Sequence, residues 1–122
     1  MDKRLSTILI IDDEPSIVKI NTIRFQSKGF LVESELDGKS GLEKAKIIIP
    51  DIILLDVMLP ELDGLSVCKS LKLDSKTAHI PIILLSARQP EESVGESIYL
   101  TKPYCFDELY EHVKEVLRLS DR

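Results

Sequence analysis

Five short apolar runs punctuate the chain: TILII (7–11), FLVES (30–34), DIILL (51–55), PIILL (81–85) and SIYLT (97–101). Three of them, TILII, DIILL and PIILL, are nearly continuous apolar segments, the pattern of strands covered by helices on both faces. The second run turns polar after Val32, which suits an edge or near-edge strand. Between the runs lie amphipathic stretches of helical period. One spans about 15–28, entered at Pro15 and closed by Gly29. Residues 38–48 carry Leu42, Ala45 and Ile48 before Pro50, and residues 62–73 carry Leu62, Leu65, Cys68 and Leu71 on one stripe. In the last, Phe106, Leu109, Tyr110, Val113, Val116 and Leu117 follow i, i+3, i+4, i+7 spacing. Strand and helix in alternation predict an α/β domain over 1–122, with a parallel sheet and right-handed crossovers.

At 122 residues the chain fits a single core. Trp is absent and only three Phe and three Tyr occur, so aliphatic side chains must fill that core. That favours a parallel sheet over an aromatic-rich binding barrel. The net charge of −5 disfavours nucleic-acid binding by this domain. Cys68 and Cys105 form no CxxC pair. Both fall in stretches that read as helical, so they are expected to be small buried hydrophobes in a reducing compartment. No run reaches the ~18–20 apolar residues that cross a bilayer. The N-terminal MDKRLSTILIIDDE loses its apolar character to acids too early for a signal peptide. A cytoplasmic protein is expected.

Open α/β sheets bind ligands beyond the carboxyl ends of their strands. After TILII come Asp12 and Asp13, after DIILL Asp56, after PIILL Ser86, and after SIYL Thr101, Lys102 and Pro103. Glu33, Ser34 and Glu35 at the end of the second run are placed off to the side. Carboxylates ~4 Å apart repel by about 4 kcal/mol per pair at an effective dielectric of ~20. Such a cluster needs a cation, and oxygen donors with room for phosphate favour Mg²⁺. A carboxylate also serves as a nucleophile that carries a phosphoryl group. Asp56 stands alone on its strand, the natural acceptor, with Asp12 and Asp13 to hold the metal. Lys102 and the Ser86 hydroxyl would then face the phosphoryl oxygens. A single acid there is more often solvated or a helix cap, as Asp13 and Glu14 are placed to be before Pro15. Three acids converging with a lysine and a hydroxyl are not explained that way.

The segments IIDDE, PDIILLDVMLPELDG, PIILLSA and YLTKP, in this order, resemble the receiver domain of two-component response regulators of the chemotaxis-regulator type. The resemblance covers roughly residues 5–118. It implies a flavodoxin-like doubly wound (βα)5 fold with strand order 2-1-3-4-5. It further implies that Asp56 takes a phosphoryl group from a phosphohistidine on a sensor histidine kinase or histidine phosphotransfer protein. Asp13, Asp56 and the Met58 backbone carbonyl would bind Mg²⁺ directly, and Asp12 through water. Lys102, Ser86 and Ala87 would contact the phosphoryl oxygens, and the bond before Pro103 would be cis. Ser86 and Tyr99 would act as the switch, and Gly64 would permit the turn near the site. Met58 and Arg88 occupy positions that influence phosphoryl lifetime in relatives. A downstream output protein or domain is expected, with a monomer or a weak phosphorylation-dependent dimer.

One segment departs from the family. Only ARQPEESVGES (87–97) is available for the fourth helix, near the minimum for a parallel crossover. Pro90 can start a helix and Gly95 weakens it, so that helix is expected to be short, missing or disordered, and output to use a modified surface. Three other functions fit less well. A phosphatase of the haloacid dehalogenase type needs an acid two residues after its nucleophile, where this chain has Met58. A flavin module needs a hydroxyl- and Gly-rich phosphate loop where this chain has IIDDE. A receiver-shaped module that is never phosphorylated would tolerate loss of Asp56 or Lys102, and both are present. His79, His112 and the lysines 44, 46, 69, 72 and 76 read as solvated surface.

Overall fold

In the computed structural model, residues 5–87, 94–96 and 98–120 are described. The elements run β1 (Thr7–Ile11), α1 (Pro15–Ser27), β2 (Leu31–Glu35), α2 (Gly38–Ile48) and β3 (Ile52–Asp56). They continue through α3 (Gly64–Leu73), β4 (Ile82–Ser86), β5 (Ile98–Thr101) and α4 (Phe106–Ser120). The strands form one parallel sheet in the order β2-β1-β3-β4-β5. This is the parallel sheet that the alternating pattern predicts, in the doubly wound, flavodoxin-like order that the family resemblance implies.

Period-two alternation divides the strand residues between two apolar layers. Ile8, Ile10, Ile52, Leu54, Ile83 and Leu85 pack with Val18 and Phe25 of α1 and Leu109, Val113 and Val116 of α4. Leu9, Ile11, Ile53, Leu55, Ile82 and Leu84 pack with Ala45 of α2 and Val67, Cys68 and Leu71 of α3. Every residue of β3 and β4 is buried for that reason, whereas edge strand β2 stays half-exposed. Each fully buried Leu or Ile contributes roughly 1.5–3 kcal/mol, so these two layers dominate the stability.

Local hydrogen bonding shifts several boundaries from the apolar runs. Asp51 does not begin β3; its carboxylate accepts from the Thr7 N–H at 2.7 Å and so caps the start of β1. Pro81 has no N–H to donate, and only its carbonyl joins the ladder, accepting from Ile53 at 3.0 Å. β3 and β4 therefore run one residue further than their apolar runs, and Asp56 and Ser86 are the last residues of their strands. Phe30 belongs to the stop of α1, its N–H bonded to the Phe25 carbonyl at 3.1 Å around Gly29 at φ 94°, so β2 starts at Leu31. α3 starts at Gly64 because Asp63 caps it, accepting from the Ser66 N–H at 2.8 Å.

Two side chains are not where the pattern puts them. Cys68 is a buried helical residue, its thiol pushed up to about 11 by burial and its Sγ 3.4 Å from the Val94 carbonyl. Cys105 is exposed and precedes α4, its carbonyl accepting from Leu109 N–H. Lys72 is no solvated surface charge. Its ammonium donates to the Ala78 and Ile80 carbonyls at 3.1 and 2.7 Å, and burial holds its pKa below the usual value. It fastens the end of α3 to the turn that leads into β4. Val94–Glu96 are not helical, and the rest of the expected fourth helix, 88–93 and 97, lies outside the described residues.

Candidate functional site

The two central strands bring the acids together. Ile11 lies in register with Leu55, so the next step along β1 and β3 sets Asp12 beside Asp56. Both are 2% exposed, while Asp13 is exposed. One carboxylate oxygen from each of the three lies within 4.8 Å of the others. Asp12 Oδ1 accepts from the Glu14 N–H at 3.0 Å, a tight turn that leads the chain into α1. Asp56 Oδ1 accepts from the Met58 N–H at 3.2 Å. Its other oxygen, Oδ2, is 3.3 Å from the Lys102 ammonium.

Lys102 reaches the site because β5 pairs with β4, and its N–H donates to the Ser86 carbonyl at 2.7 Å. Ser86, 6% exposed, ends β4 one strand over from Asp56. Ala87 follows it, exposed, and shares a cleft lining with Lys102. The Lys102–Pro103 peptide bond is cis. Gly64 makes room beneath: its N–H donates to the Val57 carbonyl at 2.9 Å, and a Cβ there would collide with the Asp56 carbonyl oxygen.

Electrostatics in the cluster are unbalanced. Burial, with the Asp56 charge beside it, raises the Asp12 carboxyl to about 6 even though the Glu14 N–H and Lys102 favour its charged form. Burial alone would lower the Lys102 pKa, but Asp56 and Asp12 together hold it above the usual lysine value. All three acidic groups offer hard oxygen donors, and burial beside Asp56 makes the charged form of Asp12 costly. A divalent cation would relieve that repulsion, so the donor set fits Mg²⁺.

Asp12, Asp13, Asp56 and Lys102 thus converge, and Ser86 ends the neighbouring strand beside them. Met58 contributes its N–H to Asp56 while its side chain is 72% exposed. Tyr99 sits away from the cluster, two residues before Thr101, and packs in the layer with α2 and α3. Its hydroxyl is buried with no hydrogen-bond partner among the described residues. Arg88 lies outside them. His79 is exposed in the turn after α3, and His112 is half-buried on α4.

The sequence reading missed a contact between α1 and the loop after Lys102. The Asn21 amide nitrogen donates to the Tyr104 hydroxyl at 3.3 Å. Asn21 stands in the buried stripe of α1 between Val18 and Phe25, a polar residue in an apolar row, and that was the available signal.

The family model for the response regulator receiver domain matches residues 8–114. The chain is 40% identical over 121 residues to the DNA-binding dual master transcriptional regulator RpaA of Synechocystis, covering 94% of this chain and 50% of that protein. It is 39% identical over 120 residues to the alkaline phosphatase synthesis transcriptional regulatory protein PhoP of Bacillus subtilis, covering 93% and 49%. The chain therefore spans about half the length of these relatives. Among solved structures it superposes on the receiver domain of a sensor histidine kinase from Pseudomonas aeruginosa at a TM-score of 0.85, with 27% identity, covering 93% of this chain and 98% of that one. That crystal structure has a magnesium ion coordinated in its active-site cleft. Topology, acid cluster and these matches agree: the chain belongs to the response regulator receiver domain family.

Proposed function

We propose that the chain is the phosphoacceptor switch of a two-component signalling system and that Asp56 is the acceptor. One observation carries this reading: Asp56, buried at the end of the central strand, has one oxygen 3.3 Å from Lys102 and two further acids at its side. A carboxylate oxygen of Asp56 attacks the phosphorus of a phosphohistidine on a sensor kinase or phosphotransfer protein. The P–N bond breaks and its electron pair returns to the imidazole. Lys102 neutralises the charge that gathers on the phosphoryl oxygens, and the Ser86 hydroxyl and Ala87 N–H donate to them. Mg²⁺, held by Asp13, Asp56 and the Met58 carbonyl, with Asp12 acting through water, would supply the remaining positive charge.

Phosphorylation adds charge and acceptor oxygens at one end of the sheet, which draws Ser86 and Lys102 inward, with Tyr99 following. The output lies in a partner or in another segment of a longer protein. With a net charge of −5, this domain itself is not the DNA-binding part. Among the described residues no helix is long and apolar enough to cross a membrane, and we place the protein in the cytoplasm. Its oligomeric state is monomeric or a weak dimer formed on phosphorylation. Incubation with Mg²⁺ and a small acyl phosphate, followed by intact-mass measurement, tests the reading. A single phosphoryl adduct is expected; none with metal and donor in excess would overturn it.

A further inference from the structure

α1 buries Val18, Asn21 and Phe25 along one stripe, and Asn21 is only 6% exposed. Burying an amide is unfavourable unless it is hydrogen-bonded. Its partner, the Tyr104 hydroxyl, lies 83 residues away and two residues after Lys102. Lys102 is tied on its other side, where its N–H donates to the Ser86 carbonyl at 2.7 Å. The segment Lys102–Tyr104 is therefore fastened to β4 at one end and to α1 at the other. Pro103 between them has a φ fixed near about −65° by its ring, which leaves fewer backbone rotations to absorb a shift of Tyr104 before it reaches Lys102.

Two features make that fastening matter. The contact it controls is long: the Lys102 ammonium stands 3.3 Å from Asp56 Oδ2, beyond the ~2.7–2.9 Å of a strong charge-assisted bond, so a small displacement changes it. Packing does not hold the segment from all sides either. Glu14, Asn21, Arg24, Lys102, Pro103 and Tyr104 are among the residues lining an open cleft of about 760 Å³ between α1 and this loop. The hydrogen bond supplies the specification that packing leaves out on that side.

We propose that Asn21 and Tyr104 are positioning residues, whose hydrogen bond sets where the Lys102 ammonium stands over Asp56 and thereby the rate of phosphoryl uptake. The rate half of this rests on the phosphoacceptor reading; the placement of Lys102 does not. Asn21→Leu and Tyr104→Phe each delete one partner at nearly constant shape, and their double variant tests whether they act as one unit. In protein carrying ¹³C-labelled lysine, both variants should move the Lys102 ε-methylene resonance, the double variant no further than the larger single. Uptake from a small acyl phosphate with Mg²⁺ should slow roughly tenfold at saturating donor, with the half-saturating donor concentration little changed. Lys102 resonances coincident with wild type, with only a lower melting temperature, would overturn the proposal and leave the bond a structural tie. A displaced Lys102 with unchanged uptake in active protein would overturn it equally. If wild type itself forms no adduct while the Lys102 resonance still moves, the phosphoacceptor reading falls and the positioning of Lys102 stands. Should Asn21→Leu fail to fold, Tyr104→Phe, which loses a single oxygen, decides the matter.

Discussion

Lys102 follows β5 and Asp56 ends β3, two strands separated by β4, yet the lysine ammonium lies 3.3 Å from Asp56 Oδ2. Lys102 is the cation that faces Asp12 and Asp56, two acids that are each 2% exposed. Lys102→Met should therefore destabilise the metal-free protein by about 1–2 kcal/mol, less than a wholly buried pair, because the lysine side chain is 29% exposed. Phosphoryl uptake should fall ~10²-fold, since the charge that forms on the phosphoryl oxygens loses its fixed cation. Urea denaturation and uptake kinetics check the two halves separately.

Gly64 approaches the phosphoacceptor strand too closely for any side chain. A Cβ there would meet the Asp56 carbonyl and Val57 Cα. Gly64→Ala should destabilise the fold by about 2–3 kcal/mol, read as a lower urea midpoint, because the obstacle is backbone and cannot rotate away.

Asp37 caps α2, its carboxylate accepting from the Ser40 N–H at 2.8 Å and the Ser40 hydroxyl at 3.0 Å. The Ser40 N–H, then its hydroxyl, hold the Asp37 carboxyl below its ordinary value of 3.8. A lowered native pKa means that the unfolded chain binds more protons here near pH 4. The contribution of this cap is thus complete above about pH 4 and disappears as pH falls through the lower native value. Asp37→Asn keeps a capping oxygen and removes the ionisation, so the variant should lose less stability than wild type between about pH 4 and pH 2. Thermal melts across that range measure it.

Tyr99 buries a hydroxyl that has no partner among the described residues. Tyr99→Phe removes the unpaired group and keeps the ring against the layer of α2 and α3. The unphosphorylated protein should become more stable, by up to about 1 kcal/mol. A lower urea midpoint would mean that the hydroxyl is satisfied in solution.

Much of this architecture was legible because two-sided burial writes itself into sequence. DIILL after its Asp51, and PIILL, are apolar since helices cover both faces, and the acid and hydroxyl after them stand out against that background. Boundaries were less legible, because hydrogen bonds rather than hydropathy set them. Phe30 looks like a strand residue and spends its N–H on the α1 stop; Asp51 looks like a strand start and caps β1. Lys72 has the composition of a surface residue, yet carbonyls from a turn six and eight residues on capture its ammonium. Cys105 lies one residue outside the helix whose apolar period suggested it was inside. The Asn21–Tyr104 bond joins residues 83 apart, beyond what any local pattern reports, although a polar residue in an apolar stripe marks one of its ends.

The central claim is that Asp56, among all the acids of the chain, takes the phosphoryl group. Protein treated with Mg²⁺ and an acyl phosphate is reduced with borohydride, which converts an aspartyl phosphate to homoserine, and is then digested and sequenced by mass. The account predicts homoserine at position 56, dependent on metal and absent from Asp56→Asn. Homoserine at position 12 or 13 of the wild-type protein, with Asp56 intact, would contradict it.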